Sequence, residues 1–143
     1  MVELTRTPVA AGDHGLHAAL GDADLPGDDL GASNGRFFRF EQNGVLAGYG
    51  GFEPYGDVAL LRSVVVTPPM RGRGAGRAIA EALAEEMCAA GIAQAYLLTT
   101  TAEDFFRHLG FAEIPRDEAP AVILATPQAT TICRSAALLR KAL

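Results

Sequence analysis

Val64-Val65-Val66-Thr67-Pro68-Pro69-Met70-Arg71-Gly72-Arg73-Gly74-Ala75-Gly76-Arg77 joins two segments of different periodicity. Before it, Val58 to Thr67 is nearly all apolar and rich in Val, as a strand buried on both faces is. Pro68-Pro69 stops that strand. After it, Ile79, Leu83 and Met87 recur every four residues with Ala82 and Ala90 beside them, one apolar stripe of a helix that runs to about Ala90. Gly91 suits the position just past that helix. Residues 71–77 therefore lead from a strand into a helix N-terminus. Three glycines let the backbone approach a ligand closely and leave its N–H groups bare. The helix dipole favours an anion there, and three arginines add charge and forked donors. Together they form a site for a phosphate or diphosphate group.

Two common nucleotide loops do not fit. The GxxxxGK[ST] loop needs a Lys-Ser or Lys-Thr pair, and the sequence has none. GxGxxG read from Gly72 ends at Arg77, and read from Gly74 it ends at Ile79. Either side chain would crowd the strand–helix contact that the final glycine permits.

Outward from this segment the chain reads as strands and helices of one mixed α/β unit. Arg36 to Gln42 and Val45 to Glu53 are strand-like and flank Asn43-Gly44, the strongest short hairpin signal because both turn residues need positive φ. Pro54 to Asp57 is a turn cluster before the Val58 strand. Gln94 to Thr99 reads as a strand, Ala102 to Leu109 as a short helix capped by Gly110, and Phe111 to Pro115 as a strand. A helical piece near Glu118 to Ala125 and a closing strand from Ser135 to Leu143 complete the pattern. Near the N-terminus, Leu16 and Leu20 suggest a short helix over Asp13 to Leu20. Gly21 to Gly35 reads as a solvated acidic loop. It fails as a calcium loop, with Pro26 at the fifth position and Ser33 where a bidentate Glu belongs. Strands and helices in this order predict a mixed central sheet covered by helices, and 143 residues suit a single domain, 1–143.

Composition narrows the function classes. Seventeen acids against twelve Lys and Arg give a net charge of −5, which argues against a nucleic-acid binder that relies on overall positive charge. No apolar run approaches the roughly 18 residues of a membrane span, and no signal peptide is evident, so a cytoplasmic location is expected. Cys88 and Cys133 are too few for a disulfide framework; Cys88 is expected in the core of its helix, and Cys133 lies in the tail. His14 and His17 lie three apart with no third ligand evident, so no metal is expected.

Arg71, Gly74 and Gly76 fit Arg-x-x-Gly-x-Gly, and this loop resembles the diphosphate loop of the GNAT family of N-acetyltransferases. Val64-Val65-Val66-Thr67-Pro68 resembles that family's central strand and its exit. Ala102 to Phe111 resembles its late helix with the following Leu109-Gly110-Phe111. Three blocks in the family's order cover about half the chain. Pro54-Tyr55-Gly56-Asp57, Leu97 to Phe106 and Pro115 to Pro120 look like the small GNAT proteins associated with arsenic resistance.

The resemblance implies a GNAT fold with a splayed central strand pair and acetyl-CoA as co-substrate. It implies pantetheine contacts at Val64, Val65 and Val66, and diphosphate contacts from Arg71, Gly72, Arg73, Gly74, Ala75, Gly76 and Arg77. An N–H near Val65 would stabilise the oxyanion. For the base, the family's usual acid at the start of the central strand is absent, because Ala59-Leu60-Leu61 stand there. Glu53, on one strand face with Tyr49 and Gly51, is the candidate, acting through a water. For the acid, the family often has Tyr where Phe106 stands, which leaves His108, Thr100, Thr101 or water. Phe105 and Phe106 are candidates for the wall of the acetyl pocket, with Thr101 beside them on the cofactor side. Arg62 and Tyr49 are candidate acceptor contacts, Arg62 for a carboxylate. The implied partner is a small amine, amino-acid-like and arsenic-containing on the closer resemblance, or a cationic amine on the acidic loop. A non-catalytic acyl-CoA-binding module and a peptide acetyltransferase are the alternatives. The family's C-terminal strand can pair between subunits, which makes a homodimer a candidate assembly.

Overall fold

The computed structural model describes residues 3–32, 34–132 and 136–143. Among these, seven strands form one sheet: β1 (Thr5–Val9), β2 (Arg36–Gln42), β3 (Val45–Tyr55), β4 (Val58–Val66), β5 (Gln94–Thr99), β6 (Ala112–Glu113) and β7 (Ala137–Ala142). Their spatial order is β1-β2-β3-β4-β5-β7-β6. The helices are α1 (His14–Asp22), α2 (Ala75–Ala89), α3 (Glu103–His108) and α4 (Ala121–Leu124). The expected mixed sheet with flanking helices is what folds.

Local chemistry explains most boundaries. Asn43 and Gly44 have φ of 52° and 79°, the left-handed pair that a two-residue hairpin requires. The next turn is tighter than expected. Pro54 and Tyr55 stay in β3, paired with Ala59 and Val58, and Gly56 at φ 68° turns the chain. Asp13 caps α1 by accepting the Leu16 N–H at 3.0 Å. The piece near Glu118 to Ala125 is shorter than the pattern suggested. It divides into a 3-10 turn (Arg116–Glu118), α4, and a π-helical turn (Gln128–Ile132). β1 has no counterpart in the sequence reading. It lies at the sheet edge with Pro8 in it, paired only to β2.

Two layers of side chains cover the sheet. On one face Ile79, Leu83 and Met87 of α2 pack on Phe38, Phe40, Phe52, Leu61 and Leu97. Gly50 makes that contact close, since a Cβ there would press on Leu83 and Ile79. On the other face Leu16 and Leu20 of α1 pack on Phe37, Tyr49 and Val65. Burying such a side chain contributes about 1.5–3 kcal/mol, so both faces hold the central strands firmly. Cys88 does not join the core as expected. It is exposed, because one residue past Met87 turns it about 100° off the buried stripe. Cys133, Ser33 of the acidic loop and Ser135 at the expected start of the last strand lie outside the described residues. Among the described residues no helix is long and apolar enough to cross a membrane.

β7 runs antiparallel to β5 from Thr99↔Ala137 to Gln94↔Ala142, and β6 pairs with its far side. The C-terminal strand thus fills a slot in its own sheet. The only parallel junction in the described sheet is β4 with β5, and it is short. Val58, Ala59 and Leu60 pair with Gln94, Ala95 and Tyr96, and no pairing continues beyond them. The strands part just where β4 bulges. Two steps on β3, Tyr49 to Gly51, face three on β4, Val65 to Arg62. The additional residue, Ser63, adopts φ 61°.

Candidate active site

The parting of β4 and β5 opens a cleft of about 430 Å³. Leu61, Arg62, Ser63 and Val64 form one wall, and Leu97 to Ala102 form the other. Phe106 of α3 closes one side, Gln128 another, and Asp24, Leu25 and Pro26 of the loop after α1 cover the mouth. Where the ladder stops, main-chain N–H and C=O groups on facing strands lose their partners. An extended ligand with amide groups of its own can take up that pairing.

At one end of this opening lies the Arg/Gly segment. Gly74 is the N-cap of α2, at φ 81° and ψ 6°, and has no side chain with which to cap the helix. The amides of its first turn are therefore left for an anion. Gly72, at φ 76°, has open space where a Cβ would stand. Gly76 is close-packed: a Cβ there would come within 3.1 Å of the Phe105 ring and 3.4 Å of Val66. Arg73 and Arg77 are exposed and make no ion pair among the described residues. Bare amides, two free arginines and an open cradle fit a diphosphate. Arg71 has a different task. Its Nε donates to the Val66 carbonyl at 3.2 Å, which ties the loop to the end of β4.

The opposite end is built from charged side chains. Arg62 is 4% exposed and Glu53 fully buried. Arg62 Nη1 donates to Glu53 Oε2 at 2.7 Å and to Asp29 Oδ2 at 2.5 Å. Its Nη2 donates to Asp29 Oδ1 at 2.8 Å and to the Pro26 carbonyl at 3.4 Å. The Tyr55 hydroxyl donates to Glu53 Oε1 at 2.6 Å. Burial alone would raise the Asp29 pKa, but the Arg62 hydrogen bonds reverse this and hold it below the ordinary carboxylate value. Burial likewise works against the Arg62 cation, and its bonds to Asp29 and Glu53 outweigh that and raise its pKa. Tyr55 is pushed up by burial first and by the Glu53 carboxylate second. The cluster is a locked, charged clamp that fixes the loop carrying Asp24, Leu25 and Pro26 over the cleft.

These placements sort the residues singled out by the sequence. Val64, Arg62, Thr100, Thr101 and Phe106 come together in the cleft. Phe105 does not reach it; 39% exposed, it lies over Gly76 with its ring centroid 5.0 Å from that of Phe106. Glu53 is neither a solvated strand-end acid nor presented to the cleft, because both its oxygens are held by Arg62 and Tyr55. Arg62 does not offer a free fork to a carboxylate, because Asp29 occupies it. Tyr49 faces α1 instead of the cleft, packed beside Leu16 and Leu20, and burial raises its pKa. His108 is exposed, its Nδ1 bonded to the Asp104 carbonyl at 2.6 Å. Two residues past Phe106 on a helix is about 200° round, which turns it away. Val65 is close but turned. Its carbonyl faces Gly48 of β3, and the Thr67 N–H donates to Ala47 on the same side. Alternation then directs the main chain of Val64 and Val66, not that of Val65, to the opening. Sequence reasoning missed Asp24, Asp29, Ser63 and Gln128. The acids were visible only as members of a polar loop.

A sheet whose parallel centre opens above a bare helix N-terminus is built to seat an acyl carrier with a phosphate-bearing arm. The sequence profile of the Acetyltransferase (GNAT) family matches residues 8–111, and the chain belongs to that family of acyltransferases. The comparison with curated protein sequences gave no match. Solved structures share the fold. N-acetylglutamate synthase from Neisseria gonorrhoeae, complexed with coenzyme A and N-acetyl-glutamate, superposes with a TM-score of 0.81 at 18% identity. That alignment covers 100% of this chain and 36% of the synthase, so the chain spans about a third of the synthase's length. Rv2747 from Mycobacterium tuberculosis, in complex with CoA and NLQ, has a TM-score of 0.75 at 20% identity and covers 97% of this chain and 99% of its own. The ribosomal-protein-S18-alanine N-acetyltransferase from Escherichia coli has a TM-score of 0.68 at 22% identity, covering 98% and 94%.

Proposed function

We propose that the chain is an acetyl-CoA-dependent N-acetyltransferase that passes the acetyl group directly to the amine of a small molecule. One observation carries the reading: β4, once it has parted from β5 beyond Leu60, leads to the uncapped N-terminus of α2, whose Gly76 packs on Val66 of β4 and on Phe105, the ring neighbour of Phe106 in the cleft. When bound, acetyl-CoA supplies an acetyl thioester. The amides of Gly72 to Arg77 hold its diphosphate, helped by the Arg73 and Arg77 side chains. The main chain of Val64 and Val66 aligns its amide-bearing arm, and an N–H of that pair faces the developing negative charge on the acyl oxygen. Phe106 and Leu97 exclude water from the reacting end. Asp24 is exposed, lines the mouth and has no ion-pair partner among the described residues. It replaces Glu53 as the carboxylate that receives the amine proton, through a water.

The acceptor end favours a cationic amine, because Asp24 faces the cleft while the Arg62 charge is neutralised by Asp29 and Glu53. An amino-acid-like, arsenic-containing acceptor rests on the resemblance of Leu97 to Phe106 and its companion segments. Such an acceptor would have to compete with Asp29 for Arg62. A second reading, a non-catalytic acyl-CoA-binding module, is favoured by Phe106 and by the absence of Glu53 and His108 from the cleft. Purified protein with acetyl-CoA and an amine panel, free thiol being followed, tests both. The panel includes diamines and arsenic- and phosphorus-containing amino acids. Turnover with any amine supports the enzyme, and coenzyme A binding without turnover across the panel supports the module.

A further inference from the structure

Ser63 combines three observations that the reading above does not use. It is the additional residue of the β4 bulge, in a left-handed conformation (φ 61°) that side-chain-bearing residues rarely adopt. Its Oγ is buried and meets no hydrogen-bond partner among the described residues. It lines the cleft together with Phe106 and Val64. A buried hydroxyl without a partner loses its water and gains nothing in return. A strained conformation held at a cleft wall persists only because the surrounding sheet enforces it. Both penalties fall on one residue, at the point where the strands part. Along β4, Ser63 lies three residues deeper than Val66, about 10 Å further from the diphosphate end. That is the reacting end of the proposed arm. Phe106 has no hydroxyl and His108 points outward; of the other candidate donors, Thr100 and Thr101 line the cleft but are exposed, whereas the Ser63 hydroxyl is buried in its wall.

We propose that the Ser63 hydroxyl donates a hydrogen bond to the sulfur of the bound thioester, and that the bulge exists to aim it. The inference rests on the acetyl-CoA reading given above. The balance of the step is simple. The amine nitrogen bonds to the acyl carbon, and the C–S bond breaks with its electron pair going to sulfur. The proton lost by the amine passes through a water to Asp24. Ser63 keeps its own proton and steadies the charge gathering on sulfur. A thiol ionises near pH 8.5 unaided, so a donor is enough and a full proton transfer is not required.

Binding of coenzyme A and of desulfo-coenzyme A, measured by calorimetry at a pH where the bound thiol is ionised, separates this role from a structural one. The wild type is expected to favour coenzyme A about tenfold, the size of one hydrogen bond. Ser63→Ala and Ser63→Gly are expected to bind both equally and to raise the pKa of the bound thiol, followed by thiolate absorbance. Ser63→Gly supplies the control for folding. Glycine relieves the positive φ, so its melting temperature rises while the sulfur preference disappears. A residue with only a structural task would improve with that change. An unchanged preference in either variant overturns the proposal while leaving the cofactor reading intact. Wild-type protein that binds neither ligand removes both.

Discussion

The two ends of the cleft are made of different materials. At the Gly76 end the working groups are main-chain amides of one continuous segment, held bare by glycines at positive φ and by the missing cap of α2. At the Arg62 end they are side chains gathered from three segments: Asp29, Glu53 with Tyr55, and Arg62. The first end is open and uncompensated, and so stands ready for a charged ligand. In the second, one cation is already held by two carboxylates, and so the cluster serves to hold a loop in place. An anion site and an ion cluster can both contain arginine; what separates them is whether the arginine has a partner within the chain.

The largest effect expected is at the locked end. Arg62→Ala leaves Glu53 and Asp29 buried against each other with no cation between them. Stability in urea should fall by about 3–5 kcal/mol, the usual result of removing one partner of a buried pair. Loss below 1 kcal/mol would mean that the cluster is solvated and the comparison mistaken. The open end should respond in the opposite way. Gly72→Asp places a negative charge beside the bare amides, at a positive φ that also costs stability, and should weaken coenzyme A binding tenfold or more, whereas Gly72→Asn, with the same backbone strain and no charge, should lower the melting temperature as much and affinity far less. A change in stability with no change in affinity would put the diphosphate elsewhere.

The contrast also explains what could be read from the sequence. The Gly76 end was legible because its chemistry is local: a strand, a stop and glycines before a helix specify bare amides whatever folds around them. The Arg62 end was not. Asp29 meets Arg62 across 33 positions of chain, and no periodicity in either segment announces the pairing. Alternation did place Tyr49 and Glu53 on one strand face, but it could not say that α1 covers the first and that Arg62 and Tyr55 hold the second. Ser63 was invisible for another reason. A serine in the left-handed region follows from a register shift between two strands, and its own residue type gives no sign of it. β1 escaped because an edge strand with Pro8, paired on one side only, lacks the apolar alternation of a covered one.

A smaller effect distinguishes the arginines of the open end from each other. Arg73 and Arg77 are exposed and make no ion pair among the described residues, and Arg71 is bonded to Val66. Arg73→Ala and Arg77→Ala should each weaken coenzyme A binding severalfold, and the loss should shrink at high salt as screening removes the long-range part. Arg71→Ala should act chiefly through the loop, with a salt-independent loss. Equal salt dependence in all three would show that Arg71 also faces the phosphates.

The smallest expected effect is in the pH dependence of stability, where the locked end contributes to both limbs and Tyr49, whose pKa burial also raises, adds to the alkaline one. Asp29 has a folded pKa below its unfolded value. Its contribution is therefore present above about pH 4 and is lost as pH falls toward the lower folded value. Tyr55 has a folded pKa above its unfolded value. Its contribution is complete below about pH 10 and is lost as pH climbs beyond that. Urea melts across pH should then show Asp29→Asn flattening the acid limb and Tyr55→Phe flattening the alkaline one, with neither variant changing the other's limb. Because Glu53 Oε1 accepts from Tyr55 and Oε2 from Arg62, a crossed response, with Tyr55→Phe altering the acid limb, would mean that Tyr55 and Asp29 do not act independently. The clamp would then be one coupled unit, and the loop over the cleft would loosen at both extremes for the same reason.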